Sequence, residues 1–302
     1  MQNKAGYVAI IGLPNAGKST LMNALIGEKL SIVTSKPQTT RKKILGILTK
    51  ENYQIIFLDT PGILNPEYLL QEKMLDYVEV SVRDADVILF IIDISDDETG
   101  EKTLGNENVK RILQKAKQEK ILAINKVDLS NQQIVDNVIK NLSSKKIFSK
   151  IIPISASLGY NIDTVVNSIL ECLPEHPKYF PDDELSDANE RFFVSEIIRE
   201  KIFEQYRDEI PYSCEVLIDE FKERTKGKDY IRAIIIVEKE SQKPIIIGDN
   251  GSSIKKLGKT ARESIETFLG REVFLELFVK VRAKWRSNPL LLKSYGYTID
   301  DE

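Results

Sequence analysis

A glycine-rich stretch near the start of the chain, GLPNAGKST at residues 12–20, constrains the fold more than any other feature. It follows the apolar run YVAII, and its spacing Gly12-x-x-x-x-Gly17-Lys18-Ser19 is that of a phosphate-binding loop. Glycines here let successive backbone N–H groups turn inward around an anion, and a helix that starts near Lys18 aims the positive end of its dipole at the same point. The pattern therefore predicts a buried strand, a phosphate-binding loop and a helix, as in α/β nucleotide-binding folds.

The same loop predicts how a nucleoside triphosphate would bind. Lys18 would reach the β- and γ-phosphates, and the hydroxyl of Ser19 would ligate the Mg²⁺ that accompanies them. An ordinary strand–turn–helix corner is the competing interpretation, and the apolar strand before the loop and the helical pattern after it disfavour it. The loop residues expected to contact the nucleotide are Gly12, Asn15, Ala16, Gly17, Lys18, Ser19 and Thr20.

Composition narrows the remaining possibilities. A length of 302 residues suggests about two domains, and an apolar share of 42% is ordinary for a globular protein. The sequence has no apolar run near the ~18 residues of a membrane span, and its two cysteines lack the spacing of a disulfide framework, which favours a cytoplasmic protein. His176 is the one histidine, so catalysis by a serine–histidine or cysteine–histidine pair is disfavoured. The net charge of −3 means that a nucleic-acid partner has to be bound by a local basic patch.

Short apolar runs alternate with longer amphipathic segments through the first half of the chain. This alternation predicts an α/β domain with a doubly wound, mostly parallel sheet, in which ligands bind beyond the carboxyl ends of the strands. The predicted strands are Tyr7–Ile11, Ile44–Thr49, Gln54–Leu58, Val87–Asp93, Ile121–Asn125 and Ile151–Ile154.

The composition changes after residue 173. A proline-rich stretch and the acidic cluster DDELSD predict an interdomain linker, in which Ser186 or Asp187 would cap the long helical pattern that follows. The order of predicted elements beyond the linker is α-β-β-α-α-β, which indicates a smaller α+β domain. The expected limits are 1–173 for the first domain, 174–190 for the linker, 191–285 for the second domain and 286–302 for a C-terminal tail.

The sequence DTPG, from Asp59 to Gly62, ends a predicted strand downstream of the phosphate loop. An aspartate at such a place can hold Mg²⁺, usually through water, and the N–H of Gly62 can donate to a γ-phosphate. The tetrapeptide alone is typical of a plain turn. Its place in the chain, one strand after the loop, favours the nucleotide-binding interpretation.

Two further strand ends predict which base is recognised. In NKVD, from Asn125 to Asp128, the two carboxylate oxygens of Asp128 can accept the adjacent N–H donors of guanine, and the stem of Lys126 can cover the face of the base. Adenine lacks that pair of donors. In the sequence ISAS, backbone N–H groups at Ser155 and Ala156 could reach the guanine carbonyl oxygen. The expected ligand is therefore GTP or GDP.

Together these residues resemble the P-loop GTPases of the translation-factor class, and the second half of the chain narrows the resemblance to the Era family of bacterial ribosome-assembly GTPases. The segments that carry it are KPQTTRKKILGI, DTPG, NKVD and the long tail that begins with IIIGDNGSSIKK, and it covers nearly the whole chain. The resemblance implies a GTPase domain followed by a type II K-homology domain, with the 3′ end of 16S ribosomal RNA as the RNA partner.

The resemblance also implies roles for single residues. Thr40 in QTTR would ligate Mg²⁺ when GTP is bound, with Thr39 as the less favoured alternative. Many GTPases place a water-orienting glutamine directly after D-x-x-G, where this chain has Ile63. Similar GTPases with an apolar residue there use K⁺, bound in part by an asparagine of the phosphate loop, and Asn15 matches that pattern. The expected hydrolysis is slow and potassium-stimulated, with catalytic residues Asn15, Lys18, Thr40 and Gly62 and with Mg²⁺ ligands Ser19, Thr40 and Asp59.

The second domain contains a GxxG loop, Gly248-Asp249-Asn250-Gly251, between two predicted helices. Glycines permit close approach to a nucleic-acid backbone, so such a loop can clamp a few unpaired nucleotides. Residues 243–293 contain eleven Lys or Arg against five Asp or Glu, a local basic patch of the kind RNA binding needs. Asp249 departs from the lysine common in such loops and predicts weaker RNA affinity. The predicted RNA-binding residues are Gly248, Asn250, Gly251, Ile254, Lys255 and Lys256.

Two functions of different classes remain open on the sequence. The first is a cytoplasmic, monomeric GTPase that binds 16S ribosomal RNA, but not DNA, and assists assembly of the small ribosomal subunit. The second is a membrane-peripheral regulatory GTPase that signals to a protein partner from the inner face of the cell membrane. The basic segment KVRAKWRSNPLLLKSYGY keeps the second one open, because it could touch an anionic surface.

Overall fold

The computed structural model describes residues 3–298, which separate into two compact units. Residues up to 67 and residues 71–187 form the first unit, and residues 68–70 with those from 188 onward form the second. The division at 187/188 falls inside the predicted linker 174–190. Residues 299–302 of the predicted tail lie outside the described residues.

The first unit contains a six-stranded sheet with the order β2-β3-β1-β4-β5-β6. In this sheet β2 runs antiparallel to β3, and the other neighbours are parallel, which confirms the predicted mostly parallel sheet. The strands are β1 (Lys4–Gly12), β2 (Ile44–Lys50), β3 (Tyr53–Asp59), β4 (Val87–Asp93), β5 (Glu119–Asn125) and β6 (Lys150–Pro153).

The helices of this unit lie between the strands. They are α1 (Lys18–Ile26), α2 (Leu69–Asp84), α3 (Glu101–Gly105), α4 (Glu107–Lys115), α5 (Gln132–Ser144) and α6 (Ile162–Cys172). Asparagine side chains cap two of them: Asn106 accepts the N–H groups of Asn108 and Val109, and Asn131 accepts that of Ile134. The caps fix where each helix begins and hence the length of the loop before it.

The core explains why functional side chains collect at one edge of the sheet. The aliphatic residues of β1, β4 and β5 are buried along the whole of each strand, as expected of parallel strands covered on both faces. The register pairs Asp93 with Asn125 and Ile10 with Asp59. The carboxyl ends of β1, β3, β4 and β5 therefore lie side by side, and the loops that follow them share one edge.

The second unit has the predicted order α-β-β-α-α-β, with two additional short helices. Its three-stranded sheet has the order β7-β8-β9, with β7 antiparallel and β9 parallel to β8. Apolar residues of α7, α9 and α10 form one core with the inward side chains of this sheet. The elements are α7 (Glu190–Gln205), α8 (Ile210–Ser213), β7 (Glu215–Lys222), β8 (Asp229–Val237), α9 (Gln242–Ile247), α10 (Ser252–Leu269), β9 (Val273–Val281) and α11 (Pro289–Ser294).

The predicted cap of α7 was wrong. Asn189 performs that role, because its side chain accepts the N–H of Phe192. Ser186 instead donates its hydroxyl to the carbonyl of Leu45 at 2.6 Å. The acidic segment that contains Ser186 is thus engaged with β2, and the chain turns into the helix only three residues later.

Candidate functional site

The phosphate loop connects the end of β1 at Gly12 to the start of α1 at Lys18. Gly17, just before the helix, has a φ of 97°, in the left-handed region that favours glycine. A Cβ atom there would lie 2.2 Å from Nδ2 of Asn125. Gly17 therefore serves two purposes, a backbone conformation and a close contact to β5, and any side chain would displace the loop.

Lys18 is 6% exposed, and its ammonium group donates to the carbonyls of Gly12 (3.2 Å) and Leu13 (2.8 Å). Burial lowers the pKa of Lys18 to about 8, and the nearby Asp59 carboxylate partly opposes that shift. A buried ammonium group of this kind lacks solvation by water. Phosphate oxygens in the loop would supply the missing negative charge.

Three oxygen-bearing side chains meet next to the loop. Ser19 Oγ lies 2.8 Å from Thr40 Oγ1 and donates to Asp59 Oδ2 at 2.7 Å. Burial raises the pKa of Asp59, against the lowering effect of the hydrogen bond from Ser19. Within residues 3–298, Oδ1 of Asp59 is buried and has no hydrogen-bond partner. A hard oxygen donor set with one unsatisfied carboxylate oxygen fits Mg²⁺.

The structure distinguishes the two threonines that the sequence left open. Thr39 Oγ1 lies 2.6 Å from Thr34 Oγ1 and donates to the carbonyl of Lys36 at 2.8 Å. It is thus engaged within its own loop. Thr40 is 7% exposed and lies against Ser19, so the structure brings Thr40 to the predicted metal ligands.

Sequence reasoning missed the residues that anchor the loop between α1 and β2, which carries Thr40. Asn23, one helical turn after Ser19, accepts the N–H groups of Leu30 and Ser31 and donates to the carbonyl of Ser31 at 2.8 Å. Ser31 Oγ in turn donates to Asp59 Oδ2 at 2.9 Å. The start of the loop that carries Thr40 is therefore fixed to α1 and β3. No spacing in the sequence indicated these bonds, because they depend on the path of the loop after α1.

Gly62 packs directly against the phosphate loop. A Cβ at this position would lie 2.6 Å from the backbone nitrogen of Pro14. The next residue, Ile63, donates its N–H to the carbonyl of Gly12 at 2.9 Å, and its side chain is 1% exposed in the core. Ile63 is thus apolar and is also removed from the cavity where an attacking water would stand.

A cavity of about 260 Å³ opens between the phosphate loop and the loop that carries Thr40. Asn15, in the left-handed conformation with a φ of 61°, donates its amide to the carbonyl of Ser35 at 3.2 Å. Gln38 also lines the cavity, although sequence reasoning did not select it, and its Oε1 accepts a 3.4 Å hydrogen bond from Gln71. The predicted site residues that line the cavity are Asn15, Gly17, Lys18, Ser19, Thr20, Thr40, Gly62 and Lys126.

In the NKVD segment, Asn125 is buried and makes structural hydrogen bonds, whereas Asp128 is exposed. Asn125, 2% exposed, donates to the carbonyl of Ala16 at 2.8 Å and accepts the N–H of Ala156 at 3.0 Å. It ties the phosphate loop to the ISAS loop, whose Ser155 is buried. The expected contact of the Ala156 N–H to a guanine carbonyl would have to share that donor with Asn125. Asp128 is exposed in a short 3₁₀ turn, so its carboxylate is accessible to a base.

Lys126 is oriented from the neighbouring strand. Its ammonium group lies 2.5 Å from Oδ2 of Asp93, the last residue of β4. The salt bridge holds the end of the side chain and leaves its aliphatic stem along the cavity that Lys126 lines. This arrangement suits the predicted role of covering the face of a base.

The GxxG loop of the second unit joins α9 to α10. Gly248 and Gly251 have φ values of 70° and 75°, and Asn250 between them has 50°. A Cβ at Gly248 would lie 2.6 Å from Cβ of Ser253, whereas one at Gly251 would meet nothing nearer than Lys255 Cε at 3.9 Å. Gly248 therefore serves the packing of the loop, and Gly251 leaves an open approach to its outer side.

A groove of about 490 Å³ lies between α10, which follows this loop, and β9. Ile254 and Leu277 contribute to an apolar lining, and Lys255 lies on the helix side. Lys256 is exposed on α10 and does not line the groove. Sequence reasoning missed the contribution of β9, because a strand that is distant in sequence supplies it. The remaining lining residues are Lys228, Gly258, Lys259, Arg262, Val273, Phe274 and Leu275.

Family models match both units. Residues 7–126 match the family described as 50S ribosome-binding GTPase, and residues 209–286 match the KH domain. Within residues 3–298, no helix is both long enough and apolar enough to cross a membrane.

Proteins of known identity resemble the chain over nearly its full length. It is 45% identical to GTPase Era of Clostridium beijerinckii over 294 residues, which are 97% of each chain. It is also 45% identical to the chloroplastic GTPase ERA-like protein of Oryza sativa, over 98% of this chain and 70% of the relative. Among solved structures, Era in complex with MgGDPNP and nucleotides 1506–1542 of 16S ribosomal RNA is 40% identical, with a TM-score of 0.92 over 98% of this chain and 100% of that one. An Aquifex aeolicus Era variant bound to GDP and AlF₄⁻ is also 40% identical, with the same shares covered and a TM-score of 0.91.

Proposed function

The chain belongs to the Era family of GTPases, and on that premise we propose that it is a GTP-hydrolysing switch that binds 16S ribosomal RNA near its 3′ end during assembly of the small ribosomal subunit. The observation that carries the proposal is the meeting of Ser19, Thr40 and Asp59 beside the phosphate loop. The cluster connects the proposed Mg²⁺ ligands to the loop that carries Thr40, and the position of this loop should depend on whether a γ-phosphate is present. Hydrolysis would then change the conformation of the loop and so alter a surface outside the nucleotide site.

In this proposal Mg²⁺ is held by Ser19, Thr40 and Asp59, and it neutralises charge on the β- and γ-phosphates. Lys18 places its ammonium group against the same phosphates, which replaces the carbonyl contacts that it makes in the loop. The N–H of Gly62 donates to the γ-phosphate from a backbone that is packed on Pro14. These groups orient the substrate, and the fold holds them in place before it binds.

Base selection in the proposal depends on Asp128. Its exposed carboxylate accepts the two adjacent N–H donors of guanine, and the stem of Lys126 covers the ring. Asn125 contributes indirectly, because it holds the phosphate loop and the ISAS loop at a fixed separation. Adenine would leave the carboxylate unpaired, which costs more than a missing apolar contact.

We propose slow hydrolysis that K⁺ stimulates. Ile63 cannot orient water, since it is apolar and buried in the core. Asn15 and Ser35 both line the cavity, and the side-chain amide of Asn15 donates to the carbonyl of Ser35, so the amide oxygen of Asn15 and this carbonyl oxygen lie near each other. Two neutral oxygens of this kind suit a weakly hydrated monovalent cation, which would add positive charge near the phosphates.

The proposed RNA site is the GxxG loop together with the groove between α10 and β9. Gly251 gives the RNA backbone close access, and Ile254 offers an apolar surface to bases. Lys255, Lys259 and Arg262 supply positive charge along the groove for phosphates. The protein is proposed to act as a monomer in the cytoplasm.

The experiment that tests the function is a titration of labelled single-stranded RNA from the 3′ end of 16S ribosomal RNA. We expect binding in the presence of a non-hydrolysable GTP analogue, weaker binding with GDP, and no binding of DNA with the same sequence. Equal affinity for an unrelated RNA of the same length would contradict the proposal.

Sedimentation distinguishes the membrane-peripheral alternative. The protein should sediment with small ribosomal subunits and be released by nuclease treatment. Sedimentation with anionic vesicles that nuclease does not change, together with no retention on subunits, would favour the alternative function.

A further inference from the structure

The sheet of the second unit has one face packed on helices and another that we call the outer face. Ile231, Ala233 and Ile235 of β8 point into the core with α7, α9 and α10. The alternate residues of β8 therefore belong to the outer face. The register pairs Tyr230 with Phe274 and Ile234 with Phe278, so β9 places two phenylalanines on that face.

The two ends of the outer face differ in burial. At one end, the pair Glu215 and Ile236 is buried, and the hydroxyl of Tyr297 donates to Glu215 at 2.6 Å. Away from this end, Phe278 opposite Ile234 is 50% exposed, and Phe274 at the far end is 52% exposed. Phe274 and Phe278 lie on the same face of β9 with Glu276 between them, and the fold does not use these two half-exposed rings for its own core.

The rings of this patch are ordered by their neighbours. Tyr230 and Phe274 are stacked, with ring centroids 6.1 Å apart and planes inclined by 15°. The guanidinium of Arg232 lies 5.7 Å from the ring centroid of Tyr230 and 5.8 Å from that of Phe278. Arg232 therefore fills the space between two rings and joins them into one surface with planar groups.

Acidic side chains hold Arg232 and determine the charge of the surface. Its guanidinium nitrogens lie 3.5 Å from Asp219, 3.7 Å from Glu220 and 3.7 Å from Glu276. The three carboxylates outnumber this guanidinium and the Lys222 ammonium that pairs with Glu220, so the surface is net negative and offers no cations to phosphate groups. Its ability to bind lies in the faces of the rings, which favours stacking partners over simple anions.

Continuity with the groove identifies the partner. Phe274 lines the groove between α10 and β9 and also stacks on Tyr230 of the outer face. A GxxG groove clamps about four nucleotides. A longer single strand that leaves the groove across the edge strand β9 would meet Phe274 first and Phe278 next. Unpaired bases stack on aromatic side chains whatever their sequence.

We propose that Tyr230, Phe274 and Phe278 form a stacking platform for the unpaired RNA bases that flank the nucleotides held in the groove. The platform rests on the proposed RNA binding and extends it to a second surface of the same domain. Because it acts through stacking, it adds affinity without adding phosphate contacts. Removal of one of these uncharged rings should therefore leave the salt dependence of binding unchanged.

The test compares two single-stranded RNAs from the 3′ end of 16S ribosomal RNA, one of about five nucleotides that fills only the groove and one of about twelve nucleotides. The variant is Phe278→Ala, since Phe278 does not line the groove. We expect roughly tenfold weaker binding of the long RNA, unchanged binding of the short one and an unchanged salt slope. Phe278→Trp should retain the affinity of the unmodified protein. Leu290→Ala, at a site 78% exposed on α11, is the matched control and should change neither RNA.

A spectroscopic measurement locates the contact. With 2-aminopurine in the flanking part of the long RNA, fluorescence should be quenched on binding and regained in Phe278→Ala. If Phe278→Ala binds both RNAs like the unmodified protein and the quenching persists, the platform is refuted while the groove stands. If the unmodified protein binds neither RNA, the proposed function fails with it. If RNA binding is unchanged but Phe278→Ala no longer associates with intact small subunits, the patch is a protein-docking surface and the RNA platform is wrong.

Discussion

The two candidate sites differ in how the fold treats their functional groups. In the first unit, Lys18, Asp59 and Asn125 are at most 6% exposed, and each is held by hydrogen bonds to other parts of the same unit. In the second unit, Asp249 and Lys255 are exposed on the surface. Phosphoryl transfer needs charges fixed in a dry site, whereas a flexible polyanion can be bound by a surface. Substitution of a buried functional residue should therefore change the stability of the fold as well as its activity. Substitution of an exposed functional residue can change binding without changing stability.

The burial of charged groups lowers the stability of the first unit as long as no nucleotide is bound. Burial lowers the pKa of Lys18 and raises that of Asp59, so both charged forms are disfavoured by their surroundings. A nucleotide with Mg²⁺ would relieve both, and this relief contributes to its affinity and hence to the stability that the unit gains on binding. The exposed charges of the GxxG region carry no comparable cost.

The largest effect is expected from Asp128→Asn. The carboxylate that we propose accepts both guanine donors would become an amide, and GTP affinity should fall by about 10⁴-fold. Xanthosine triphosphate, which presents a carbonyl in place of the amino group, should bind in its place. Fluorescence titration with both nucleotides measures the exchange. Because Asp128 is exposed, the melting temperature without nucleotide should not change. Loss of GTP binding in a folded variant with no gain for xanthosine triphosphate would refute the guanine-reading role.

The next largest effect is expected from a substitution in the GxxG loop, which tests the exposed site of the second unit. Gly251→Asp should weaken binding of the single-stranded RNA by at least about 100-fold, because a side chain blocks the backbone and a carboxylate repels phosphate. GTP hydrolysis should be intact, since the substitution lies in the other unit. Electrophoretic mobility shifts and phosphate release measure the two activities. Both glycines have a left-handed backbone that a side chain strains, but the Cβ of Gly248→Asp would also collide with Ser253, so this variant should lower the melting temperature more than Gly251→Asp does. Strong RNA binding by Gly251→Asp would remove this loop from the site.

Lys18→Met tests the cost of burial directly. The folded pKa of Lys18 is about 8 against 10.5 in a model peptide, so between these pH values the unfolded chain binds more protons and the free energy of unfolding rises with pH. Below pH 8 the burial cost is present in full. The variant should lose GTP binding but melt several degrees higher than the nucleotide-free protein at pH 7, with a difference that shrinks towards pH 10.5. Lys255→Met, at an exposed site, is the matched control and should melt unchanged. A lower melting temperature for Lys18→Met would contradict the argument.

A smaller effect is expected from exchanging the monovalent cation. Hydrolysis by the unmodified protein should rise several-fold when Na⁺ is replaced by K⁺, and Asn15→Ala should remove that rise while nucleotide still binds. Phosphate release at equal ionic strength, with a binding titration beside it, measures both. Asn15 is exposed, so the fold should tolerate its loss. Equal rates in the two salts would rule out the potassium proposal, and catalysis would then require a group supplied from outside the chain.

The same contrast explains what the sequence could predict. The phosphate loop and DTPG are short local spacings at strand ends, and the parallel sheet brings such ends together. The bonds of Asn23 to Leu30 and Ser31 depend on the path of a loop, for which no spacing rule exists. The sequence predicted the residues on the α10 side of the groove, because α10 follows the GxxG loop directly. It did not predict those of the facing strand β9, because only tertiary packing brings that strand to the groove. The cap of α7 was missed because several residues near Asn189 have capping side chains, and tertiary bonds decide among them.

The smallest effect, and the sharpest test of an exposed site, is Asp249→Lys. Asp249 lies in the GxxG loop with its carboxylate at the surface, so the substitution removes a repulsion and adds one phosphate contact. RNA affinity should rise a few-fold, and the slope of log affinity against log salt should steepen by about 0.7, the value for one contact to a single strand. Asp249→Asn removes the repulsion alone and should raise affinity with a smaller change in slope. Both comparisons require a stated ionic strength, because screening reduces the effect as salt increases. The melting temperature should stay constant throughout, in contrast to Lys18→Met. If affinity and slope are unchanged in Asp249→Lys, the loop does not face the RNA backbone, and the lysines that follow it on α10 are only a solvated surface.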